Sequence, residues 1–533
     1  TPQNIIRKQY GLFFQDDFKV NRRVTLNLGL RYEYETAPIE EFDRMSRFLD
    51  LTDPIPEFQA NPPQMPAQVN AIRQTAPIFN GAWVFTDSNN RRLYKAQRNL
   101  ILPRAGIALR VNDKTALRAG WGRYAVPMVN AIGSSWYIPA DGFNANSNTL
   151  PLVEGIPQNV LSDPFPAGVN PLIQPAQKSR GRYENLGAAS RWFLQDMKVG
   201  INDRFNISLQ RELPNRIVTD VTYFFNIGHN TPTSNIWGNG GQDFNLNLIN
   251  PQLIYQHKAA VDVRVANPFF GILTPEKFPG TLRNQATIAV RELLRPYPQY
   301  GNLIVDFKDG YRSRYHALQM RAERAFSGGY TFTAAYNYHR QKTDNYFNAD
   351  DQYLDRLTYL PSNDPRHRLS LGGVWEFPLG KGRRFGASMH PVLDAIVGGW
   401  STSHLFMWNS GSFLRFGQLE VSGDPILDNR TRDKWFKTEV FAIAIPYTPR
   451  TNPYQYEGLT GPGFWSWDGT LAKFFQLTER FRAELRLEAY NVPNTFMLAA
   501  PSTSVTAATF GKSVGPAAGN YGREVQYSLR LHF

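Results

Sequence analysis

The sequence has no cysteine among its 533 residues, which excludes disulfide bonds and metal sites built from thiolates. It also lacks any run of about 18 consecutive apolar residues, which a helix needs to cross a bilayer. Hydrophobic residues make up 42% of the chain, and the mean hydropathy is -0.41. These values exclude a bundle of membrane-spanning helices, so any membrane interpretation requires strands.

The first residues, TPQNIIRKQYGLFF, lack the apolar segment and the cleavage site of a signal peptide. An exported protein is expected to be made with such a segment. The sequence therefore predicts either a mature chain or a part of a longer protein.

Motifs of the common enzyme classes are also missing. The chain has no HExxH and no GxSxG, and Gly511-Lys512-Ser513 lacks the earlier glycine of a phosphate-binding loop. The eight histidines are scattered, as structural or solvated histidines usually are. We therefore expect no enzymatic activity, no catalytic residues and no organic cofactor.

The net charge is strongly positive, +13 at pH 7. Such an excess suits nucleic acid, anionic lipid or an acidic ligand. No RNA- or DNA-binding motif accompanies it, so nucleic acid is not an expected partner. Aromatic residues make up 14% of the chain, which favours β structure and membrane-interface belts.

The last residues, GREVQYSLRLHF, alternate between apolar and polar side chains. Val525, Tyr527, Leu529, Leu531 and Phe533 form the apolar set, and polar residues separate them. A period of two predicts a strand with one apolar and one polar face. In a membrane barrel the apolar face meets lipid and the polar face meets the lumen.

The same alternation recurs in six hairpins, and the last segment brings the number of predicted strands to thirteen. The predicted strands are 7–20, 24–34, 101–111, 116–124, 204–212, 217–225, 315–326, 330–339, 366–377, 400–408, 467–477, 481–491 and 525–533. Tight turns join five of the hairpins, and Gly328 and Gly329 permit positive φ in one of them. The fifth hairpin uses a longer connection, 378–399.

Six long segments separate the hairpins, all at the same end of the predicted strands. They are 35–99, 125–204, 226–314, 339–365, 409–463 and 492–524. Compact soluble domains rarely contain connections beyond about 15 residues, whereas outer-membrane barrels combine short periplasmic turns with long extracellular loops. The sequence therefore predicts an all-β fold, a transmembrane antiparallel β-barrel with long extracellular loops and short periplasmic turns.

Aromatic rings gather at both ends of the predicted strands. The outer ends carry Tyr32, Tyr34, Trp121, Tyr124, Tyr223, Phe225, Tyr336, Tyr338 and Tyr490, and the inner ends carry Phe18, Phe326, Phe377, Phe475 and Phe533. The strands that end near Val111 and Arg211 carry no ring at the inner end. Two such girdles are expected because amphipathic rings favour the depth of the lipid headgroups. We interpret Tyr527, Leu529, Leu531 and Phe533 as a terminal signal for the barrel assembly machinery.

Several segments, taken in order, resemble one family. QYGLFFQDDFKVNRRVTLNLGLRYEYETAP, YHALQMRAERAFSGGYTFTAAYNY, DPRHRLSLGGVWEFPLG and GPGFWSWDGTLAKFFQLTERFRAELRLEAYNVPN look like the barrel of TonB-dependent outer-membrane receptors. The likeness is greatest to the Oar-like subgroup, which usually carries an N-terminal carboxypeptidase-regulatory-like β-domain. The resemblance extends from about Gln9 to Phe533.

The resemblance implies the outer membrane of a Gram-negative-type bacterium, a lumen closed by an N-terminal plug, and energy supplied by the TonB complex through that plug. Barrels of these transporters have about 22 strands, whereas thirteen are visible here. We therefore expect residues 1–533 to be the C-terminal part of a transmembrane β-barrel, with the plug and the N-terminal β-domain outside this chain.

The function implied by the resemblance is import of a large or scarce substrate through capture by the loops and movement of the plug. The alternative is a structural or interaction barrel whose large surface loops bind other envelope or extracellular components. A diffusion porin is a third reading, which the size of the loops disfavours.

One predicted strand carries an alternating row of charges, Arg482, Glu484, Arg486 and Glu488. In a barrel this face meets the lumen or the plug, so the row is a candidate for plug docking. Solvation by lumen water and mutual pairing of the four charges form the alternative.

An acidic cluster lies in the predicted loop 339–365. Asp350, Asp351 and Asp355 supply hard oxygen ligands at short spacing, which calcium prefers. The residue order of an EF-hand is missing, so a solvated polar loop is the alternative to a structural calcium ion.

The loops also carry aromatic candidates for ligand binding. These are Trp83, Phe85, Trp136, Tyr137 and Trp435, whose ring faces suit sugars, peptides and chelates. Packing of the loops among themselves is the alternative use of these rings.

Basic residues near the outer end of one predicted strand are candidates for contact with outer-membrane lipid. They are Arg91, Arg92, Lys95 and Arg98, which we expect to lie near lipopolysaccharide phosphates.

Overall fold

A computed structural model describes residues 3–126, 139–147, 149–167, 170–233, 243–362, 364–476, 478 and 480–533. Thirteen long strands form one antiparallel sheet in chain order. They are β1 (Gln9–Lys19), β2 (Val24–Glu35), β3 (Leu100–Asn112), β4 (Thr115–Ala125), β5 (Ile201–Leu213), β6 (Ile217–Thr233), β7 (Lys308–Ser327), β8 (Tyr330–Asn345), β9 (His367–Glu376), β10 (Trp400–Asn409), β11 (Phe464–Gln476), β12 (Arg482–Tyr490) and β13 (Glu524–His532).

Each of these strands pairs with the next one along the chain, which confirms the thirteen predicted strands and their antiparallel order. A fourteenth strand, Thr358–Pro361, pairs with β8 beside this path. Within the part of the chain that the structure describes, β1 pairs only with β2 and β13 only with β12.

The two faces of the sheet differ in chemistry. On one face Trp121, Phe205 and Phe225 lie side by side across β4, β5 and β6, with successive ring centroids 6.3 and 5.8 Å apart. The opposite face carries polar neighbours such as Asn206 and Asn226, because successive side chains of a strand point to opposite sides. An apolar outer face and a polar inner face are the arrangement of a barrel wall in lipid.

Tight turns close five hairpins at one end of the sheet. Gly328 and Gly329 join β7 to β8 with φ of 62° and 90°, the positive values that the sequence predicts there. Asn215 and Arg216 join β5 to β6 with φ of 63° and 59°. The connection from β9 to β10 is longer, as predicted, and contains a helix at Pro391–Val397.

The opposite end carries six loops, which we label L1 (36–99), L2 (126–200), L3 (234–307), L4 (346–366), L5 (410–463) and L6 (491–523). Loop strands are Ile39–Glu40, Ser46–Pro54, Asn80–Phe85, Ser190–Phe193, Arg264–Ala266, Thr287–Ala289, Leu303–Asp306, Leu419–Val421 and Phe441–Ile443, and Ile5–Ile6 precedes β1. Helices are Pro56–Ala60, Ala67–Asn70, Pro251–His257, Val290–Leu293 and Ala349–Tyr353. Turns of 3₁₀ helix in these loops are Gly181–Tyr183, Lys258–Asp262, Thr281–Asn284 and Thr438–Val440, and a further one, Pro214–Arg216, forms the β5–β6 turn at the other end.

Helices long and apolar enough to span a bilayer are absent from the described residues.

The predicted bounds of three strands were wrong. β6 continues to Thr233, β7 begins at Lys308 and β8 continues to Asn345, so L3 and L4 are shorter than predicted. The sequence alternates only where one face meets lipid, and these strands continue past that region. Their outer parts therefore lack the pattern from which a strand is predicted.

The largest buried core lies in the loops rather than in the sheet. Its members come from L1, L2 and L3 and include the fully buried Phe58, Phe269 and Phe278. A separate core joins L5 to L6, where Phe436 is fully buried against Phe510. We call the three loops L1, L2 and L3, with their shared core, the loop cap.

Candidate functional site

The polar face of the sheet encloses a cavity of about 660 Å³. Polar side chains that line it include Gln210, Asp220, Gln319, Arg321, Asn337, Arg368, Ser370 and Asn409. These residues belong to six consecutive strands, β5 to β10, so the sheet must curve around the cavity. Acceptors, donors and both signs of charge are available to a solute or a protein segment in this space.

The predicted charge row lies on that polar face in β12. The Arg486 guanidinium bonds to both neighbours in the row, with Nε 2.9 Å from a Glu484 oxygen and Nη1 3.2 Å from a Glu488 oxygen. Glu484 also lies 3.2 Å from the His532 ring nitrogen on β13. Arg482 stacks over the Phe474 ring at 4.8 Å. Three charges of the row, Glu484, Arg486 and Glu488, pair with one another in this structure. Plug docking stays a prediction.

A basic cluster on the polar face was not predicted from the sequence. The guanidinium carbons of Arg104 and Arg204 each lie 4.8 Å from the ring centroid of Tyr124, one on β3 and one on β5. The three residues occupy polar positions in three neighbouring strands. The assignment of Tyr124 to the lipid-facing aromatic girdle was therefore wrong, because its ring lies on the opposite face from Trp121. The alternation in the sequence places each of them on this face, but only the register between strands shows that they meet.

The loop cap is held together by polar contacts as well as by its core. Glu57 of L1 accepts hydrogen bonds from Tyr183 of L2 and from Lys277 of L3, both at 2.7 Å. Burial alone would raise the pKa of Glu57, but these two donors lower it. A single carboxylate thus connects all three loops of the cap.

The aromatic candidates that the structure describes contact other parts of the protein. Trp83 is 3% exposed and meets Trp192 edge to face, with centroids 6.3 Å apart. Phe85 packs edge to face against Phe143, with ring centroids 6.0 Å apart. The Trp435 indole donates to the Thr460 carbonyl at 2.7 Å.

Trp136 and Tyr137 lie outside the described residues. Packing among the loops accounts for Trp83, Phe85 and Trp435 in this structure. Ligand contact by any of the five aromatic candidates stays a prediction.

The aspartates of the acidic cluster in L4 accept hydrogen bonds from tyrosine hydroxyls of L4 and of two other loops. Asp350 accepts from Tyr255 of L3, and Asp355 accepts from Tyr346. Asp351 accepts from Tyr454 of L5 at 2.9 Å. Burial and these hydrogen bonds raise the pKa of all three tyrosines, so the hydroxyls stay protonated and keep donating.

We call these three tyrosine–aspartate pairs the L4 junction. Among the described residues, no group of three or more His, Cys, Asp or Glu side chains is arranged to hold a metal ion. A calcium ion at Asp350, Asp351 and Asp355 stays a prediction.

The basic candidates lie near the outer end of β2. Arg92 lies 3.3 Å from the Tyr34 hydroxyl, and the Arg98 carbonyl accepts from Tyr32 at 2.9 Å. Arg91 pairs with Asp43 at 2.6 Å, and Lys95 pairs with Asp196 at 3.4 Å. Contact of these residues with lipopolysaccharide stays a prediction.

The predicted assembly signal lies at an edge of the sheet. Tyr527, Leu529 and Leu531 pair with Leu487, Leu485 and Ala483 on the apolar face. These three side chains and Phe533 are all strongly exposed to the surroundings. Recognition by the barrel assembly machinery stays a prediction.

Comparison with known families gives one match. A family model described as an outer membrane beta barrel domain matches residues 1–526. No curated protein matches the chain significantly.

Among solved structures, the chain is similar to a Pseudomonas aeruginosa FpvA–pyoverdine complex, with 11% identity and a TM-score of 0.41 over 99% of this chain and 39% of that one. It is similar to the outer membrane transporter YddB from Escherichia coli, with 11% identity and a TM-score of 0.43 over 99% and 45%. It is also similar to the siderophore receptor PirA from Acinetobacter baumannii, with 9% identity and a TM-score of 0.40 over 99% and 46%. The chain spans less than half the length of these structures.

Proposed function

The chain belongs to the outer membrane beta barrel domain family, and from this premise we propose that it forms the barrel of a TonB-dependent receptor of the Oar-like subgroup. The receptor imports a substrate that is too large or too scarce for diffusion pores. Its outer-membrane location follows from the family; the transport activity is the proposal.

The observation that carries the proposal is the loop cap. A diffusion pore needs an open outer mouth, whereas L1, L2 and L3 share a core in which Phe58, Val261 and Phe269 are 0 to 1% exposed. Packed loops present a surface of fixed shape, which favours capture of a particular solute over passage of many.

The mechanism assigns separate tasks to the loops and to the wall. The loops capture the substrate, and TonB then moves a plug that lies outside this chain. The polar face of the sheet is the surface against which such a plug would lie, and charges such as Arg482 and Glu488 would contact it. Opposite charges at a water-filled contact allow release as well as docking, because each pair is individually weak.

Uptake by living cells tests this proposal. Cells that express the full protein, with and without a functional TonB complex, receive a radioiron-labelled ferric catecholate, a fluorescent maltodextrin or a fluorescent oligopeptide. We expect one of these probes to accumulate only when TonB is functional. Accumulation that is equal in both strains would identify a diffusion pore and overturn the proposal.

A second function, a structural or interaction barrel, is favoured by the extent of the loops. The core that joins L5 to L6 adds a further packed surface at the outer end, separate from the loop cap. Affinity purification from outer membranes distinguishes this function. Stable stoichiometric partners in the absence of any TonB-dependent uptake would favour it.

A further inference from the structure

The connection between β9 and β10 differs from the turns of the other hairpins. It runs from 377 to 399 and contains the helix Pro391–Val397. Val392 is 66% exposed, Leu393 49% and Ile396 62%. Positions i, i+1 and i+4 of a helix lie on one face. The helix therefore presents an apolar face that the described chain leaves uncovered.

This helix is fixed beside the apolar face of the sheet. The Trp400 indole nitrogen donates to the Ile396 carbonyl at 2.9 Å. The Lys473 ammonium donates to the Gly398 carbonyl. Trp400 and Lys473 are register partners on the apolar face of β10 and β11. The uncovered face of the helix thus continues the lipid-facing surface of the wall.

The same place carries the inner aromatic girdle. The ring centroids of Trp375 and Phe377, at the end of β9, lie 5.0 Å apart. The Phe377 N–H donates to the Trp400 carbonyl at 2.9 Å. The Lys473 ammonium lies 5.2 Å from the Trp400 ring and 4.9 Å from the Phe475 ring. Aromatic rings gathered at the ends of strands mark the depth of the lipid headgroups.

The connection also supplies positive charge at this depth. Arg383 pairs with Glu376 at 2.9 Å, and the Arg384 guanidinium lies 5.5 Å from the Phe385 ring. Among the described residues, neither Lys381 nor Arg384 forms an ion pair. Two cations next to an apolar helix face are complementary to an anionic headgroup above its acyl chains.

We propose that the connection 377–399 is a lipid-binding element that inserts its helix into the periplasmic leaflet of the outer membrane. The apolar face of Val392, Leu393 and Ile396 lies among the acyl chains. Lys381 and Arg384 hold the phosphates of anionic phospholipids. The element fixes the depth of the barrel in the membrane at the β9–β10 hairpin.

Because the chain has no cysteine, single labels test the depth directly. The full protein with Leu393→Cys, carrying a nitroxide, is placed in vesicles of phosphatidylethanolamine and phosphatidylglycerol. We expect the label to be more accessible to oxygen than to a water-soluble nickel complex. Lys114→Cys in the β3–β4 turn is the matched control and should show the reverse. A label at 393 that behaves like the control overturns the proposal.

The headgroup preference requires a second measurement. Retention of phosphatidylglycerol relative to phosphatidylcholine is measured by native mass spectrometry for the double variant Lys381→Gln, Arg384→Gln. We expect the preference to fall about 25-fold, since each of the two interfacial cations contributes a factor of about five. The control is Arg22→Gln, Arg23→Gln in the β1–β2 turn. Equal losses in both variants overturn the specific role of Lys381 and Arg384.

The same label also tests whether a protein covers the helix. In native outer membranes, a label at 393 that is shielded from both oxygen and the nickel complex would indicate a protein partner. That result overturns lipid as the occupant of this face.

Discussion

Glu40 is a buried carboxylate with several donors. Its side chain is fully buried and lies 2.6 Å from Arg44 Nη2, and the backbone N–H groups of Phe42 and Arg44 both donate to it at 2.8 Å. Burial alone would raise the pKa of Glu40, but the hydrogen bonds from Arg44, Phe42 and Asn4 lower it to about 2. The negative charge is therefore part of the local structure of L1.

Replacement of Glu40 by glutamine should destabilise this segment by roughly 2 kcal/mol, because charge-assisted bonds to a buried group are lost. Amide exchange of Phe42 and Arg44 measures the effect, and we expect it to accelerate at pH 7. Glu41→Gln, an exposed neighbour, is the control. If both variants exchange at the same rate, the charge of Glu40 has no local role.

The pH dependence follows from the lowered pKa of Glu40. A carboxyl whose folded pKa lies below its unfolded value of 4.5 contributes its full stability above that value. The contribution should decline as the pH falls from 4.5 towards about 2. Glu40→Gln should therefore differ from the wild type at pH 7 and converge with it near pH 2.

The L4 junction couples the helix Ala349–Tyr353 to loops on both sides. Asp351 accepts from Tyr454, and the Asn348 amide donates to the same hydroxyl at 2.8 Å. A double-mutant cycle with Asp351→Asn and Tyr454→Phe should give a coupling energy of about 1 kcal/mol or more, since the acceptor is charged. Amide exchange within the helix provides the measurement.

Tyr353→Phe is the control for this cycle, because Tyr353 belongs to the same helix and is exposed. A coupling energy of zero would mean that the pair is incidental. Calorimetric titration with calcium tests the other use of these carboxylates, and it should be carried out on both the wild type and Asp351→Asn.

Phe58 is the central ring of the loop cap. Its centroid lies 5.6 Å from Phe79, 6.0 Å from Phe269 and 6.3 Å from Phe278. Phe58→Ala should destabilise the cap by roughly 3 to 5 kcal/mol, the usual cost of a large buried ring. Limited proteolysis should then cleave L1, L2 and L3 faster, while the heat-dependent gel mobility of the barrel stays the same.

Phe270 of L3, an exposed residue next to the buried Phe269, gives a control within the loop cap. Phe270→Ala should leave the cleavage rates unchanged. If Phe58→Ala also alters the gel mobility, the cap and the wall do not fold as separate units.

The strands and the cap differ in how far the sequence predicts them. Residues such as Leu529 and Arg530 alternate because lipid and lumen impose opposite demands on neighbouring positions, so thirteen strands are predictable from local pattern alone. The contact between Phe58 and Phe269 joins distant parts of the chain, so no local sequence pattern predicts it. The L4 junction was missed for the same reason, since its acidic residues are close in sequence but their tyrosine partners are not.

The two edge strands of the described sheet are each paired on one side only. In the described residues β1 and β13 each have one partner, and both strands run towards the short turns. Two strands of the same direction cannot pair antiparallel with each other. An unpaired strand edge in lipid leaves backbone groups without hydrogen bonds, at a cost of several kcal/mol for each group. We therefore expect further strands to cover these edges in the membrane.

We predict that these strands precede β1 in a longer polypeptide, together with a plug. The denatured mass of the protein from outer membranes checks this prediction against the 60.7 kDa of the chain. A mass well above that value would supply strands for both edges and would strengthen the receptor proposal. A mass of 60.7 kDa would require the edges to pair with another chain, because the hydrogen bonds of β1 and β13 must be satisfied in lipid in either case. The structural or interaction barrel would then be the better reading.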